Sequence, residues 1–313
     1  MPRRPGRIDA PADHTDAAHS QGPISRDVTG LAFAATAAVA FGTLAISAKL
    51  AYEQGAEPTP LLAARFGITA IILVAVRRTM GRSVGLPWRQ LLLALGLGVG
   101  YACESLLFFL ALERAPASVV SLVFYSFPLW TNLLAAATRL ERMHVPNVVA
   151  LALGTIGVGF IFTIEGIETA ALLLALGAAV AVAVYLLAAQ VALRTVEPPV
   201  AAVWTAVGAT IVLSLTAAAA RQGLPAAALP SAGALGLATA VAFICFYEAI
   251  SRIGSSRTSV ASMLEPVATV ILAFIILGET LTFRIGIGAA LIVAALPVLA
   301  LARERTGATP EVP

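Results

Sequence analysis

Long apolar runs separated by short polar loops dominate this chain. A helix needs about 20 apolar residues to cross the hydrocarbon core of a bilayer. Ten runs are predicted to be membrane-spanning helices, and they cover residues 28–51, 60–76, 88–110, 116–138, 145–162, 169–192, 199–220, 231–250, 255–278 and 283–302. The second run is short and contains Arg65. The pattern therefore predicts an all-α integral membrane protein with ten transmembrane helices and no separate soluble domain.

The composition favours the same fold class. Hydrophobic residues make up 59% of the chain and charged residues only 12%, and the mean hydropathy is +0.91. Soluble domains carry about a quarter charged residues. Residues 1–27 and 303–313 are polar, so we expect a disordered cytoplasmic lead and a short cytoplasmic tail. The net charge of +3 does not indicate a nucleic-acid partner, because the position of the arginines is explained by membrane topology.

The distribution of arginine predicts the orientation of the helices. If ten spans start from a cytoplasmic N-terminus, three arginines fall on the outside, Arg114, Arg221 and Arg284. Fifteen fall on the inside: Arg3, Arg4, Arg7, Arg26, Arg77, Arg78, Arg82, Arg89, Arg139, Arg142, Arg194, Arg252, Arg257, Arg303 and Arg305. Positive charge near span ends stays cytoplasmic. We therefore expect a multi-pass protein of the cell (cytoplasmic) membrane with both termini in the cytoplasm.

The two halves of the chain repeat each other at an offset of 138 residues. Pro128 and Glu141 in the first half correspond to Pro266 and Glu279 in the second. At the same offset the matched pairs are Arg114 and Arg252, Ser118 and Ser256, Ser121 and Ser259, and Thr131 and Thr269. Five spans per copy force the second copy to lie upside down, which gives a 5+5 inverted repeat. The predicted repeats are 28–163 and 164–302.

Two segments of the second half carry a family resemblance. They are 264–268 (Leu-Glu-Pro-Val-Ala) and 277–282 (Leu-Gly-Glu-Thr-Leu-Thr), and a weaker version occurs at 127–129 and 140–143. The chain resembles the EamA family of the drug/metabolite transporter superfamily, and Arg65 also fits the pattern of that family. The resemblance implies a ten-helix carrier that moves small metabolites, often outward, with a cavity between its two halves.

Glu265 is the strongest candidate for a functional residue. It lies about ten residues into the ninth span, where an ionisable group is costly. The adjoining Pro266 removes a helix hydrogen bond and predicts a kink, as does Pro128 in the fourth span. One interpretation is a carboxylate that binds a proton or the substrate. The other is a structural carboxylate that is hydrogen-bonded to neighbouring Ser or Thr and holds the kinked helix in place.

Other polar residues within the spans are weaker candidates. Glu104 lies deep in the third span, and Arg65 binds an anionic group or, as we favour, pairs with a carboxylate such as Glu53, Glu57 or Glu104. Candidates for cavity lining are Tyr125, Trp130, Asn132 and Tyr185, although aromatic residues in a helix bundle often serve packing alone. Glu141 and Glu279 are expected to cap helices or to bind loop arginines.

Transport is the leading functional hypothesis. We expect a secondary active transporter, acting as an exporter of an amino acid, a related metabolite or a drug-like compound, with the proton as one candidate coupling ion. The alternatives are an intramembrane enzyme acting on lipid or peptide, or a structural or sensory membrane protein. His14, His19 and His144 all lie outside the spans, which disfavours the intramembrane enzyme, and the absence of a P-loop disfavours ATP-driven transport. Neither a cofactor nor a metal is predicted.

Small-residue patterns allow close helix packing. Gly96 and Gly100 form a small-xxx-small pair in the third span, which fits either a homodimer contact or tight packing within one bundle. The remaining expected partners are a small-molecule substrate and the lipid bilayer.

Overall fold

The fold was analysed in a computed structural model, which describes residues 23–112, 114, 120, 123–141, 143–161, 168–272, 274–275 and 283–301. Within this part of the chain no β-strand occurs, and nearly all residues are helical. The α-helices are α1 Pro23–Gly42, α2 Leu44–Glu53, α3 Pro58–Thr79, α4 Trp88–Leu112, α5 Phe127–Ala137, α6 Val145–Ile161, α7 Thr169–Ala192, α8 Pro198–Ala219, α9 Leu229–Ala261, α10 Leu264–Leu272 and α11 Phe283–Leu301. A 3₁₀ turn, Ala226–Ala228, precedes α9. The all-helical prediction is confirmed.

The described residues contain six helical segments that are long and apolar enough to cross a membrane. They are Asp27–Glu53, Pro58–Thr79, Trp88–Ala111, Thr169–Ala192, Pro198–Ala219 and Ala226–Ala261. Two shorter apolar helices are Val145–Phe160 and Phe283–Val298. Large apolar side chains such as Ile71, Leu173 and Ile275 are exposed on the outside of the bundle. Such an apolar exterior is expected of a bundle that is surrounded by lipid.

The shortest predicted span is a full-length helix. α3 has 22 residues, which corresponds to a length of about 33 Å and is enough to cross the hydrocarbon core. Pro58 and Pro60 lie in its first turn, where the missing backbone N–H of proline costs no intrahelical hydrogen bond. Arg77 and Arg78 occupy its last turn, where positive charge is favourable. Arg65 is the eighth residue of this helix and lies in its third turn, so this charged residue belongs to the helix interior.

Several predicted spans are divided by local breaks. Thr43 separates α1 from α2, and Gly254, with φ 79° and ψ 171°, interrupts α9 between the predicted eighth and ninth spans. Tyr125 and Ser126 form a turn before α5, and Ser262 and Met263 form a turn before α10. The two turns lie at nearly corresponding positions of the two halves.

The two membrane prolines lie in the first turns of the helices that follow these breaks. Pro128 is the second residue of α5, and Pro266 is the third residue of α10. The hydroxyl of Thr131 donates to the carbonyl of Phe127 over 2.9 Å, and that of Thr269 donates to the carbonyl of Glu265 over 3.0 Å. These two hydrogen bonds correspond to each other at the 138-residue offset, so the repeat is visible in local structure as well as in sequence.

The packing of the helices also reflects the duplication. α1 packs on α9 as α4 packs on α7, and α1 packs on α10 as α5 packs on α7. The contact of α4 with α8 likewise corresponds to that of α9 with α3. Two further contacts, α3 with α8 and α6 with α11, join equivalent helices of the two halves. Exchanging the halves therefore maps these main contacts onto one another, as expected of a duplicated bundle.

A glycine sets the closest approach of α4 and α8, but it is not a glycine of the predicted pair. A Cβ atom on Gly98 would lie 2.7 Å from the backbone nitrogen of Ala209 and would also meet the Thr205 carbonyl. In the described part of the chain, nothing lies within 4 Å of the Cβ positions of Gly96 and Gly100. Gly98 of α4 thus allows close packing against α8 within the bundle, together with Gly208 of α8, whose Cβ would lie 2.5 Å from the Leu95 carbonyl.

Candidate functional site

Four of the sequence-predicted residues come together inside the bundle. They are Arg65 of α3, Glu104 of α4, Tyr125 in the turn before α5, and Glu265 of α10. We call these four residues and the neighbouring Tyr101 the central cluster. Tyr185 contacts the cluster at one side, whereas Trp130 and Asn132 bond within their own helix. The helices that supply the cluster come from both halves of the chain.

Arg65 lies at the interface of the two halves. Its side chain is buried, and its Nε donates a hydrogen bond of 2.7 Å to Oγ1 of Thr239 on α9. Its guanidinium carbon lies 4.8 Å from the centroid of the Phe66 ring. The guanidinium also lies beside the hydroxyl of Tyr101 and within electrostatic range of Glu104 and Glu265. One cation is therefore held among two carboxylates and an aromatic surface.

Glu104 is the more deeply enclosed of the two carboxylates. It is buried, and its Oε2 accepts a hydrogen bond of 3.2 Å from the hydroxyl of the adjacent Ser105. Arg65 and Glu265 are the charged groups that interact with it. Glu104 is thus a buried carboxyl group with one hydroxyl donor and a guanidinium nearby, and both of these neighbours offset part of the cost of its burial.

Glu265 is the more accessible carboxylate. Its side chain is partly exposed, although it lies among the same residues of the bundle interior. The hydroxyl of Tyr125 donates a hydrogen bond to it, and Tyr125 itself is buried. This hydrogen bond joins the turn before α5 in the first half to α10 in the second half. The hydroxyl of the neighbouring Thr269 donates to the backbone carbonyl of Glu265 and not to its carboxylate. The hydrogen-bond donor to the carboxylate is Tyr125.

A chain of hydroxyl groups lies next to the central cluster. The hydroxyl of Tyr185 donates to that of Tyr247 over 2.9 Å, and Tyr247 shares a hydrogen bond of 2.5 Å with Oγ1 of Thr205. The ring of Tyr185 lies 5.0 Å from that of Tyr101, in an edge-on contact. All of these side chains are buried. The network thereby connects α7, α8 and α9 and supports the aromatic wall of the cluster.

The sequence analysis missed three members of this region, which are Thr239, Phe243 and Tyr247. They lie four residues apart on α9 and therefore share one face of the helix. Phe243 contacts the rings of Tyr101 and Phe66, at 5.1 Å and 6.0 Å. The spacing of polar and aromatic residues at every fourth position was a signal that could have identified this face.

Trp130 and Asn132 have local hydrogen bonds. Nε1 of Trp130 donates to the hydroxyl of Ser126 over 3.2 Å, and Nδ2 of Asn132 donates to the carbonyl of Pro128 over 2.8 Å. Both bonds stabilise the start of α5 next to the turn that carries Tyr125. In this structure the two side chains position that turn, and neither is bonded to the central cluster.

Metal-binding groups do not cluster in the described part of the chain. There, no group of three or more His, Cys, Asp or Glu side chains is placed to hold a metal ion. Glu141 lies at the end of the bundle and bonds the turn at Gly254, so it caps a helix as expected. Glu279 lies outside the described residues.

Comparisons with known proteins agree with this architecture. The profile of a family described as "EamA-like transporter family" matches the chain twice, over residues 28–163 and 169–301. A solved structure titled "Crystal structure of protein" is similar, with 24% sequence identity and a TM-score of 0.74; the match covers 90% of this chain and 98% of that chain. At this identity the similarity shows the fold alone. A comparison with curated proteins gave no match.

Proposed function

The chain belongs to the EamA-like transporter family, and on this premise we propose that it is a secondary active transporter that exports a small organic metabolite across the cytoplasmic membrane. The cargo is an amino acid, a related metabolite or a drug-like compound. Transport proceeds by alternating access, in which the two related halves move around a site that lies between them.

The proposed topology is ten membrane spans in a 5+5 inverted repeat, with both termini in the cytoplasm. The asymmetric distribution of arginine supports this orientation. The main interhelical contacts, which map onto one another when the halves are exchanged, support the symmetry. The break at Gly254 divides α9 into segments that fit the eighth span and the start of the ninth.

The observation that carries the proposal is the central cluster between the halves. Arg65 of the first half is bonded to Thr239 of the second, and Tyr125 of the first half is bonded to Glu265 of the second. Charged groups within a membrane protein are costly, and they mark pathways of ions and substrates. A cluster that is held by both halves changes its geometry when one half moves against the other, as alternating access requires.

The charges of the cluster indicate how cargo and coupling ion are bound. Two carboxylates, Glu104 and Glu265, face one guanidinium, that of Arg65, so one negative charge is unmatched. An unmatched carboxylate in a dry bundle is costly, and it is neutralised by a proton or by a cationic group of the cargo. Glu265 takes this role because it is the partly exposed carboxylate. Proton and cargo therefore compete at Glu265.

The first experiment identifies the cargo. Extracellular metabolites are compared, without preselection, between cells that express the protein and cells that lack it. We expect at least one small metabolite to accumulate outside the expressing cells. Equal extracellular profiles across a wide panel, with membrane insertion verified, would contradict export.

The second experiment tests Glu265 with the compound so identified. In proteoliposomes, Glu265→Gln is expected to abolish the response of flux to a pH gradient, because the amide cannot exchange a proton. Glu248→Gln is the matched control, since Glu248 pairs with Arg252 on its own helix over 2.7 Å. A wild-type pH response in Glu265→Gln would remove Glu265 from the coupling role.

A further inference from the structure

The break at Gly254 creates a helix start at one end of the bundle. Gly254 has φ 79° and ψ 171°, and the helix resumes with Ser255 and Ser256. The first amides of a helix have no acceptor within the helix and attract negative charge. In this protein one of the acceptors comes from the other half of the chain.

Glu141 supplies that acceptor from the segment that follows α5. Its Oε1 accepts hydrogen bonds from the backbone nitrogen of Ser255 at 2.9 Å and from the Ser255 hydroxyl at 3.1 Å. The backbone nitrogen of Ser256 lies 3.4 Å from the same oxygen. Gln190 of α7 adds a second acceptor, because its Oε1 lies 2.6 Å from the Ser255 nitrogen. One carboxylate oxygen of the first half thus caps a helix of the second half.

Glycine is needed at position 254 for two reasons. The positive φ value lies in the region that favours glycine. In addition, a Cβ atom there would lie 2.6 Å from Oε1 of Glu141. The carboxylate of Glu141 therefore occupies the space that a side chain at position 254 would need, and the contact depends on glycine at this position.

A second contact joins the halves at the same turn. Arg257, two residues after Ser255, pairs with Asp27 near the start of α1 at 3.3 Å, and both side chains are buried. Asp27 and Glu141 both belong to the first half, whereas Arg257 and Ser255 belong to the second. Two acidic residues of one half consequently hold the same helix start of the other half.

The position of this turn relates it to the central cluster. Ser259 and Ser262 follow on the same helix segments, between the turn and Glu265, and both are buried. Arg252 and Arg257 flank Gly254 in sequence, and Arg139 lies two residues before Glu141. These arginines were assigned to the inside, so this end of the bundle is the one predicted to be cytoplasmic.

We propose that Glu141 and Asp27 form a lock that closes the predicted cytoplasmic end of the transporter by holding the Gly254–Arg257 turn of the other repeat. The structure presents the locked state. Release of both contacts lets the start of this helix move away and opens the path from that end to the central cluster. This inference rests on the proposed function, because a lock of this kind has a purpose only if the two halves move.

The test measures accessibility and needs no cargo. In a background of Cys103→Ala and Cys245→Ala, a reporter cysteine is introduced by Ser259→Cys, since Ser259 is fully buried and its hydroxyl bonds only its own helix, at Ser256 O. A membrane-impermeant maleimide is applied to inside-out and right-side-out vesicles. We expect slow labelling of the reporter from either side while the lock is intact.

Variants of the lock should raise the labelling rate from the cytoplasmic side. Glu141→Ala is expected to raise it by about tenfold or more, because a hydrogen bond to a charged group is lost. Glu141→Gln keeps an acceptor oxygen and should have a smaller effect, and Asp27→Asn should act in the same direction as Glu141→Ala. Glu248→Gln is the matched control, because it breaks a pair within one half at the same end of the bundle.

Several results would overturn the lock. One is unchanged labelling in both Glu141→Ala and Asp27→Asn; another is an equal increase in Glu248→Gln, which would indicate general loosening. An increase from the outer side only would also contradict it. Hydrogen–deuterium exchange at Ser256, whose backbone amide contacts Glu141, provides a second readout, and it must accelerate in Glu141→Ala. A failure of the export assay with the expected labelling would contradict the proposed function and leave the lock standing.

Discussion

Arg65 and Thr239 join the two halves of the protein through a hydrogen bond of 2.7 Å, in which Arg65 Nε is the donor. The hydroxyl of Thr239 in turn donates to the carbonyl of Leu235 over 2.7 Å, so its oxygen is oriented to accept from Arg65. A carboxylate had been the expected partner. Glu104 does lie within electrostatic range, but among the described residues the direct hydrogen bond goes to the hydroxyl. The guanidinium also bonds the hydroxyl of Tyr101 in the central cluster.

Removal of the cation should destabilise the protein. Arg65→Gln leaves Glu104 and Glu265 without their positive neighbour, and breaking a buried pair in this way costs about 3 kcal/mol or more. We expect a lower melting temperature of the purified protein in detergent. Adding Glu104→Gln to this variant should restore part of the loss, because it removes one of the two uncompensated charges. Strictly additive losses in the double variant would contradict the electrostatic role of Arg65.

The chain of hydroxyl groups beside the central cluster should contribute to stability. Tyr247→Phe removes the central hydroxyl and deprives both Tyr185 and Thr205 of their shared partner. We expect a loss of about 1–3 kcal/mol in stability, since buried polar groups are left unsatisfied. Tyr185→Phe should cost less because the bond between Tyr247 and Thr205 survives. Thermal unfolding of the two variants in parallel distinguishes them, and an equal effect would argue against a chain centred on Tyr247.

Close packing of α4 and α8 can be tested with two glycines of the same helix. Gly98→Ala places a methyl group against the backbone of α8, which has little freedom to move, and should cost about 1–3 kcal/mol. Gly96→Ala meets nothing within 4 Å in the described structure and should be neutral or stabilising by about 0.5–1 kcal/mol. Melting temperatures in detergent provide the comparison. A destabilised Gly96→Ala would instead point to a contact with another molecule at that face.

The orientation can be tested with reporter fusions. Alkaline phosphatase is active only outside the cytoplasm, so fusions at the N-terminus, after His144 and at the C-terminus should be inactive. A fusion after the exposed Gly223, in the loop that carries Arg221, should be active. Green fluorescent protein at the same positions serves as the complementary reporter. Activity of the phosphatase at either terminus would contradict the ten-span topology with both ends inside.

The candidate site was partly predictable. Charged residues within apolar runs are conspicuous, so Arg65, Glu104 and Glu265 could be selected from the sequence. Tyr125 was selected because it lies near Pro128 in the span that corresponds to the one containing Glu265. Trp130 and Asn132 shared that argument, yet they bond within their own helix. The sequence supplied their position along the helix, whereas the rotation of the helix decided what each side chain contacts.

By itself the sequence determined that the chain is helical, that it is built for a membrane and that its two halves are related. The bilayer sets the length and the apolar character that each spanning segment must have, and both can be read from that segment of the sequence alone. The tertiary structure decided that Thr239 meets Arg65, that Tyr247 bridges Tyr185 and Thr205, and that Glu141 caps the turn at Gly254. Helices that are apolar on every face carry no stripe that marks the inward side, so these contacts exist only once the helices are packed.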